Sequence, residues 1–157
     1  MTAVISTDEI SRAEPWAKPS GASSSYGGNP LAATAALATL ETVLDENLVE
    51  RSATLGEEMK RRLRTMAEKY EFVGDVRGAG LLIGVDLVKN RHTKEPLAKP
   101  VTERIFLESL RRGLLLMGYQ PRVRINPPLT ITREEMDHGL GVLDEVFGEI
   151  ARDRSYR

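Results

Sequence analysis

Phe72-Val73-Gly74-Asp75-Val76-Arg77-Gly78-Ala79-Gly80-Leu81-Leu82-Ile83-Gly84-Val85-Asp86-Leu87-Val88 is where the chain changes its hydrophobic period. Upstream, apolar residues recur every three or four positions; here they alternate. Leu81, Ile83, Val85 and Leu87 point one way and Leu82, Gly84, Asp86 and Val88 the other, the pattern of a strand with one buried face. Residues 72–76 suit a preceding strand, and Gly78 and Gly80 suit the tight turn of an antiparallel hairpin. Glycines this close together suggest a nucleotide-binding loop. That reading fails, because such a loop must open a helix and a β-branched strand follows instead.

Working towards the N-terminus, Val49, Ala53, Gly56, Met59, Leu63, Met66 and Tyr70 form one helical stripe. Glu57, Glu58, Lys60, Arg61 and Arg64 read as its solvated face. Asp45-Glu46-Asn47 separates this helix from an earlier one carrying Leu31, Ala35, Leu37, Leu40 and Leu44. Asn29 is a favoured N-cap and Pro30 suits the first helical position. The loop ahead of it, Ser23-Ser24-Ser25-Tyr26-Gly27-Gly28, places hydroxyls and glycines at the positive end of a helix. That arrangement can accept an anion, phosphate above all. The same residues also read as a capped helix after a flexible loop. Residues 14–28 are rich in Pro, Ser and Gly, with Trp16 as the one large anchor, and read as mobile. Residues 2–6 suit a short strand, and Asp8-Glu9-Ile10 begins a helical turn.

Towards the C-terminus, residues 90–99 form a polar connection. Pro100 opens a helix through Arg112 that buries Val101, Ile105, Phe106 and Leu110 and stops at Gly113. Residues 114–117 and 122–125 read as two strands. Thr132 and Glu135 make a capping box, and Ile131 with Met136 the matching staple. The last helix buries Met136, Leu140, Leu143, Phe147 and Ile150. These elements predict an α/β (α+β) two-layer sandwich, with a mostly antiparallel sheet of three to four strands and helices on one face.

Composition narrows the function. The 157 residues carry a formal net charge of -1, so nothing points to nucleic acid or an anionic membrane surface. Cysteine is absent, which excludes disulfides and thiolate metal sites and suits a cytoplasmic protein. His92 and His138 are far apart with no zinc-site spacing, so no metal is expected. No apolar run approaches a membrane span.

Three ordered segments carry a resemblance. Ser24-Ser25-Tyr26-Gly27-Gly28-Asn29-Pro30-Leu31-Ala32, the run from Val73 to Val85, and Val123-Arg124-Ile125-Asn126-Pro127-Pro128-Leu129-Thr130-Ile131-Thr132 resemble, in order, signatures of class III (ornithine/GABA/omega-type) aminotransferases. These are fold type I enzymes using pyridoxal 5′-phosphate. The resemblance implies that this is their C-terminal portion, beginning just after the lysine that forms the Schiff base. Residues 1–28 would be the remnant of the large cofactor domain and interdomain loop, 29–70 connecting helices, and 71–157 the small C-terminal α/β domain.

The resemblance also assigns roles. Ser24, Ser25, Tyr26 and Gly27 would contact the cofactor, with Ser25 where the family usually has threonine. Its hydroxyl would reach the cofactor phosphate of a neighbouring subunit, keeping the donor but losing the methyl that fixes the rotamer. Arg124 matches the arginine of Arg-x-x-Pro-Pro that receives the substrate carboxylate, a task suited to a planar guanidinium. Pro127 and Pro128 bar the ladder beyond Asn126 and end the strand there. Arg77 reads as structural, paired with a carboxylate or loop carbonyls. None of the lysines shows the apolar surroundings that would activate an amine. The chain alone is therefore expected to be inactive, with a homo-oligomer or a complementary N-terminal part supplying lysine and cofactor, and an amino donor and a 2-oxo acid as substrates. The competing reading is a non-catalytic small domain acting in folding or self-association.

Overall fold

The computed structural model describes residues 4–21, 24–119 and 121–157. Its contacts divide the chain into two compact units, Met1–Glu46 and Asn47–Arg157. In the first, α1 (Asp8–Ser11) is a single capped turn and α2 (Pro30–Asp45) is the only long helix described. Asn29 Oδ1 accepts from Ala32 N at 3.0 Å and Pro30 stands in the first turn, so α2 begins where its local signals place it. The strand expected over residues 2–6 does not form at its described positions. Val4 and Ile5 are almost fully exposed and pair with no described strand, so their backbone groups are left to water and no ladder forms. Thr2 and Ala3 lie outside the described residues.

The second unit is built from α3 (Leu48–Lys69), β1 (Val73–Ala79), β2 (Leu82–Asn90), β3 (Glu95–Pro96), α4 (Lys99–Arg111), β4 (Met117–Tyr119), β5 (Arg122–Ile125) and α5 (Arg133–Asp153). The sheet order is β1-β2-β5-β4, with the two-residue β3 added on β2, and every pair is antiparallel. Val76, Val85 and Val123 form one buried row across it, and Ile83 with Ile125 the next. Ile83, Val85 and Leu87 are fully buried, as their alternation requires, while Leu82 faces solvent. Val88, expected on the open face, is buried too, because both its methyl carbons fill the space over Gly74 at the β1 irregularity.

α3 packs on β1 and β2, and α5 packs on α3 and α4. α5 buries all five expected residues together with Val142 and Val146. Its Phe147 ring lies 5.3 Å from Phe72 and 5.7 Å from Tyr70, both edge-on, while Tyr70 donates its hydroxyl to Asp144 Oδ1 at 2.7 Å. The buried stripe of α3 starts at Leu48 and Leu55 in place of Val49 and Ala53, which are exposed. Gly56 stands where a Cβ would collide with the Gly80 carbonyl, so the helix crosses the hairpin turn at backbone contact.

Two expectations about charged and apolar faces are corrected. Lys60 is not solvated: it is 6% exposed and ties the helix to the hairpin by donating to Gly78 O at 3.0 Å and to Glu57 at 2.5 Å. Its aliphatic stem lies along the core while the ammonium reaches these acceptors. In α4, Leu110 is exposed and Ser109 takes the buried position, one residue earlier on the helix. Residues 114–116 form no strand; β4 starts only at Met117.

Candidate functional site

The loop before α2 is a succession of turns. Gly27 N donates to Ser24 O at 3.3 Å, and Asn29 N and Nδ2 both donate to Tyr26 O. Gly28 takes φ +76°, a conformation open to glycine. A side chain at Gly27 would crowd Ser24, with Cβ 3.3 Å from Ser24 Cβ. Ser24, Ser25 and Tyr26 are all exposed, Tyr26 at 81%. The segment thus displays hydroxyls above a capped helix start, a donor set that suits phosphate oxygens. Ser23 lies outside the described residues. Ser24, Ser25, Tyr26 and Gly27 belong to the first unit and Arg124 to the second.

Arg124 is positioned by the sheet. It sits on β5 between Gly84 of β2 and Met117 of β4, in one cross-strand row. Its Nη2 donates to the Met117 thioether at 3.1 Å. A Cβ on Gly84 would touch nothing within 4 Å, so the space beside the arginine is open. The strand ends at Ile125, one residue before Asn126-Pro127-Pro128. Arg124, Asn126 and Pro127 join Leu114 to Met117 and residues of α5 around a cleft of ≈ 290 Å³.

On the same sheet face an ion network links Arg77, which pairs with Gly84 in the row of Arg124, to the next row of Asp75, Asp86 and Arg122. Arg77 donates to Asp86 at 2.5 and 3.0 Å and to Asp75 at 2.8 Å, while Arg122 Nε donates to Asp86 at 2.8 Å. The hydrogen bonds from Arg77, helped by those from Arg122, hold the Asp86 carboxyl below its ordinary range against the opposing effect of partial burial. Arg77 therefore has the structural pairing its sequence context suggested. Arg122, two residues from Arg124 on the same face, is also committed to Asp86.

Sequence reading missed Met117 and Gly84 as neighbours of Arg124. Cross-strand register depends on the turn between β4 and β5, and no residue pattern in either strand records it. It also missed Arg51, whose guanidinium clamps the start of α3 to Thr130 O and Ile131 O, fixing the segment between Pro128 and α5. Among the described residues no group of His, Asp and Glu could hold a metal ion, and no helix is long and apolar enough to cross a membrane.

Comparison with known proteins identifies the family of the chain. The profile of the family described as aminotransferase class-III matches residues 1–147. The leucine/methionine racemase of Thermococcus litoralis is 40% identical over 155 residues, which is 98% of this chain and 34% of the racemase. The 5-aminovalerate aminotransferase of Pseudomonas aeruginosa is 36% identical over 136 residues, 85% of this chain and 32% of that enzyme. Among solved structures, an amine transaminase from an uncultivated Pseudomonas species in its PLP-bound form superposes with a TM-score of 0.77 at 36% identity, covering 80% of this chain and 29% of the transaminase. The chain thus spans about a third of the length of these curated relatives. With a family match over nearly its whole length and a sheet that matches solved transaminases, this chain belongs to the class-III aminotransferases.

Proposed function

We propose that the chain is the carboxylate-recognising portion of a pyridoxal-phosphate-dependent aminotransferase that moves an amino group between an amine or amino acid and a 2-oxo acid. The observation that carries this reading is Arg124 beside open space over Gly84, on a strand that stops at Asn126-Pro127-Pro128. A guanidinium fixed on a strand can meet both oxygens of a carboxylate, which orients the substrate. Ser24, Ser25, Tyr26 and Gly27 would hold the cofactor phosphate through hydroxyl and backbone donors. When bound, pyridoxal phosphate supplies the electron sink that loosens bonds to the amino-bearing carbon.

The rest of the machinery would come from a complementary N-terminal part or a second copy of the chain, in the cytoplasm. α2 supports such an assembly, since it buries no residue within its own unit and exposes Leu31, Leu37, Leu40 and Leu44. Within that assembly residues 1–28 end the cofactor domain, 29–70 connect, and 71–157 form the small domain. By itself the chain would not turn over. Its one buried lysine, Lys60, is a structural tie to Gly78 and Glu57. The likeness to a leucine/methionine racemase favours a second outcome on the same scaffold, inversion at the amino-bearing carbon without net amino transfer.

Grafting tests the proposal. Replacing the C-terminal third of the Pseudomonas aeruginosa relative with this chain should give an enzyme that consumes a 2-oxo acid with an amino donor. The chain alone, treated with pyridoxal phosphate and borohydride, should show only scattered lysine labelling by mass spectrometry. Racemisation without 2-oxo acid consumption would select the second outcome. A folded, dead graft, or one stoichiometric adduct on the isolated chain, would count against the proposal.

A further inference from the structure

A second cleft, of ≈ 720 Å³, lies where the turn between β2 and β3 meets the start of β5. Its volume falls within the about 300–1,000 Å³ typical of ligand pockets. Pro96 and Pro121 stand on its walls, and both turns are pinned. Leu87 N donates to Pro121 O at 2.8 Å, and Asn90 Oδ1 accepts from His92 N at 2.8 Å and Thr93 N at 3.1 Å. Arg77, Arg91, Lys94 and Arg122 line the cleft together with Asp75 and Asp86, an excess of two positive charges in a chain whose net charge is -1. The two carboxylates are already engaged. Asp75 accepts from Arg77, and Asp86 from both Arg77 and Arg122. Cationic donors remain. Arg91 uses Nε and Nη2 on the carbonyls of Ala67, Tyr70 and Glu71 around the end of α3, which leaves Nη1. Arg122 uses its Nε alone, and Lys94 bonds to no described residue.

We infer that this cleft binds the phosphoryl group of a small phosphate ester, with Lys94, Arg91 and Arg122 as its donors. A phosphate monoester carries about 1.5 to 2 negative charges at pH 7 and three strong acceptor oxygens. That charge matches the excess, and the oxygens suit cationic donors offered from the turn and from β5. A single carboxylate would leave one positive charge unmatched. The rest of the volume is room for the organic part of the ester. Asp75 and Asp86 oppose any anion here, so binding depends on their pairing with Arg77 and Arg122. Arg124 does not line this cleft, so the inference goes beyond the aminotransferase reading and stands without it.

The histidines provide the readout. His92 shares the turn of Arg91 and Lys94, and His138 lies on α5; they are the two histidines of the chain. In ring carbon–proton NMR spectra of the full chain at constant pH, His92 reports on the cleft and His138 serves as reference. Glucose 1-phosphate, which has no free aldehyde, should shift His92 saturably and leave His138 still. Glucose should do nothing, acetate should bind at least about tenfold more weakly, and inorganic phosphate should compete with lower affinity than the ester. Lys94→Gln removes a charge that holds no contact among the described residues, and Arg122→Gln removes the donor on β5. Each should weaken the ester about tenfold with the His138 signal unchanged. Asp75→Asn should act in the opposite sense and tighten binding about threefold. No saturable shift of His92, equal binding of glucose, or an affinity unmoved by Lys94→Gln would overturn the site. Inorganic phosphate binding more tightly than the ester would overturn the ester as its ligand. All of these outcomes leave Arg124 to the grafting test.

Discussion

α2 and α5 are both long, both N-capped by a side chain, and differ in what surrounds them. α5 packs on α3 and α4 and buries seven residues, whereas α2 buries none within its unit. α2 begins at an Asn-Pro pair and carries Thr34, Thr39 and Thr42 hydroxyls bonded back to carbonyls one turn earlier. Its residues 31–40 are mostly alanine and leucine, the best helix formers, so it needs little help to be helical. α5, with three glycines on its length at 139, 141 and 148, is held by packing. The contrast separates two ways of specifying a helix: local signals fix where α2 is, and tertiary burial fixes what α5 does. The apolar side chains that α2 leaves exposed are the surface on which the proposed assembly draws.

The largest difference should appear on truncating side chains. Phe147→Ala empties the centre of the Tyr70–Phe72–Phe147 cluster and should cost about 3–5 kcal/mol in urea unfolding. Leu40→Ala in α2 should stay within about 0.5 kcal/mol. A large cost at Leu40 would show that α2 is covered in solution and would break the contrast. Smaller effects should separate the caps. Thr132→Ala opens the capping box of a packed helix and should lower global stability by about 1 kcal/mol. Asn29→Ala should speed amide exchange in the first turn of α2 and leave the urea midpoint in place.

The smallest effect concerns pH and the sheet face. Asp86 is held below its ordinary 3.8 chiefly by Arg77, with Arg122 adding. A depressed folded-state pKa stabilises the fold fully above the unfolded value and loses that contribution as pH falls through the folded one. Asp86→Asn should therefore lower stability at pH 7 and flatten its decline below about pH 4, measured as urea midpoints across that range. An unchanged acid limb would remove the network from the account.

Much of this was legible from residue order. The hairpin at residues 72–88, the capping box at Thr132, the helix start at Asn29 and the five buried positions of α5 all follow from periodicity and local chemistry. What was not legible depends on neighbours distant in sequence. Lys60 reads as solvent-facing on α3 until Gly78 is placed above it. A strand over residues 2–6 has the right composition and no partner among the described residues. For the site, the Arg-x-x-Pro-Pro spacing singled out Arg124, but its row with Gly84 and Met117 required the register of three strands.

The central claim is that Arg124 reads a carboxylate, and the grafted enzyme tests it most directly. Arg124→Lys keeps the charge and loses the two-pronged geometry, so half-reactions with carboxylate substrates should weaken by about 2–3 kcal/mol in kcat/KM. An amine donor lacking a carboxylate should be spared in its own half-reaction, and Arg122→Lys should change little in either. Equal losses for carboxylate and non-carboxylate donors would mean that Arg124 supports the sheet rather than the substrate, contradicting the account.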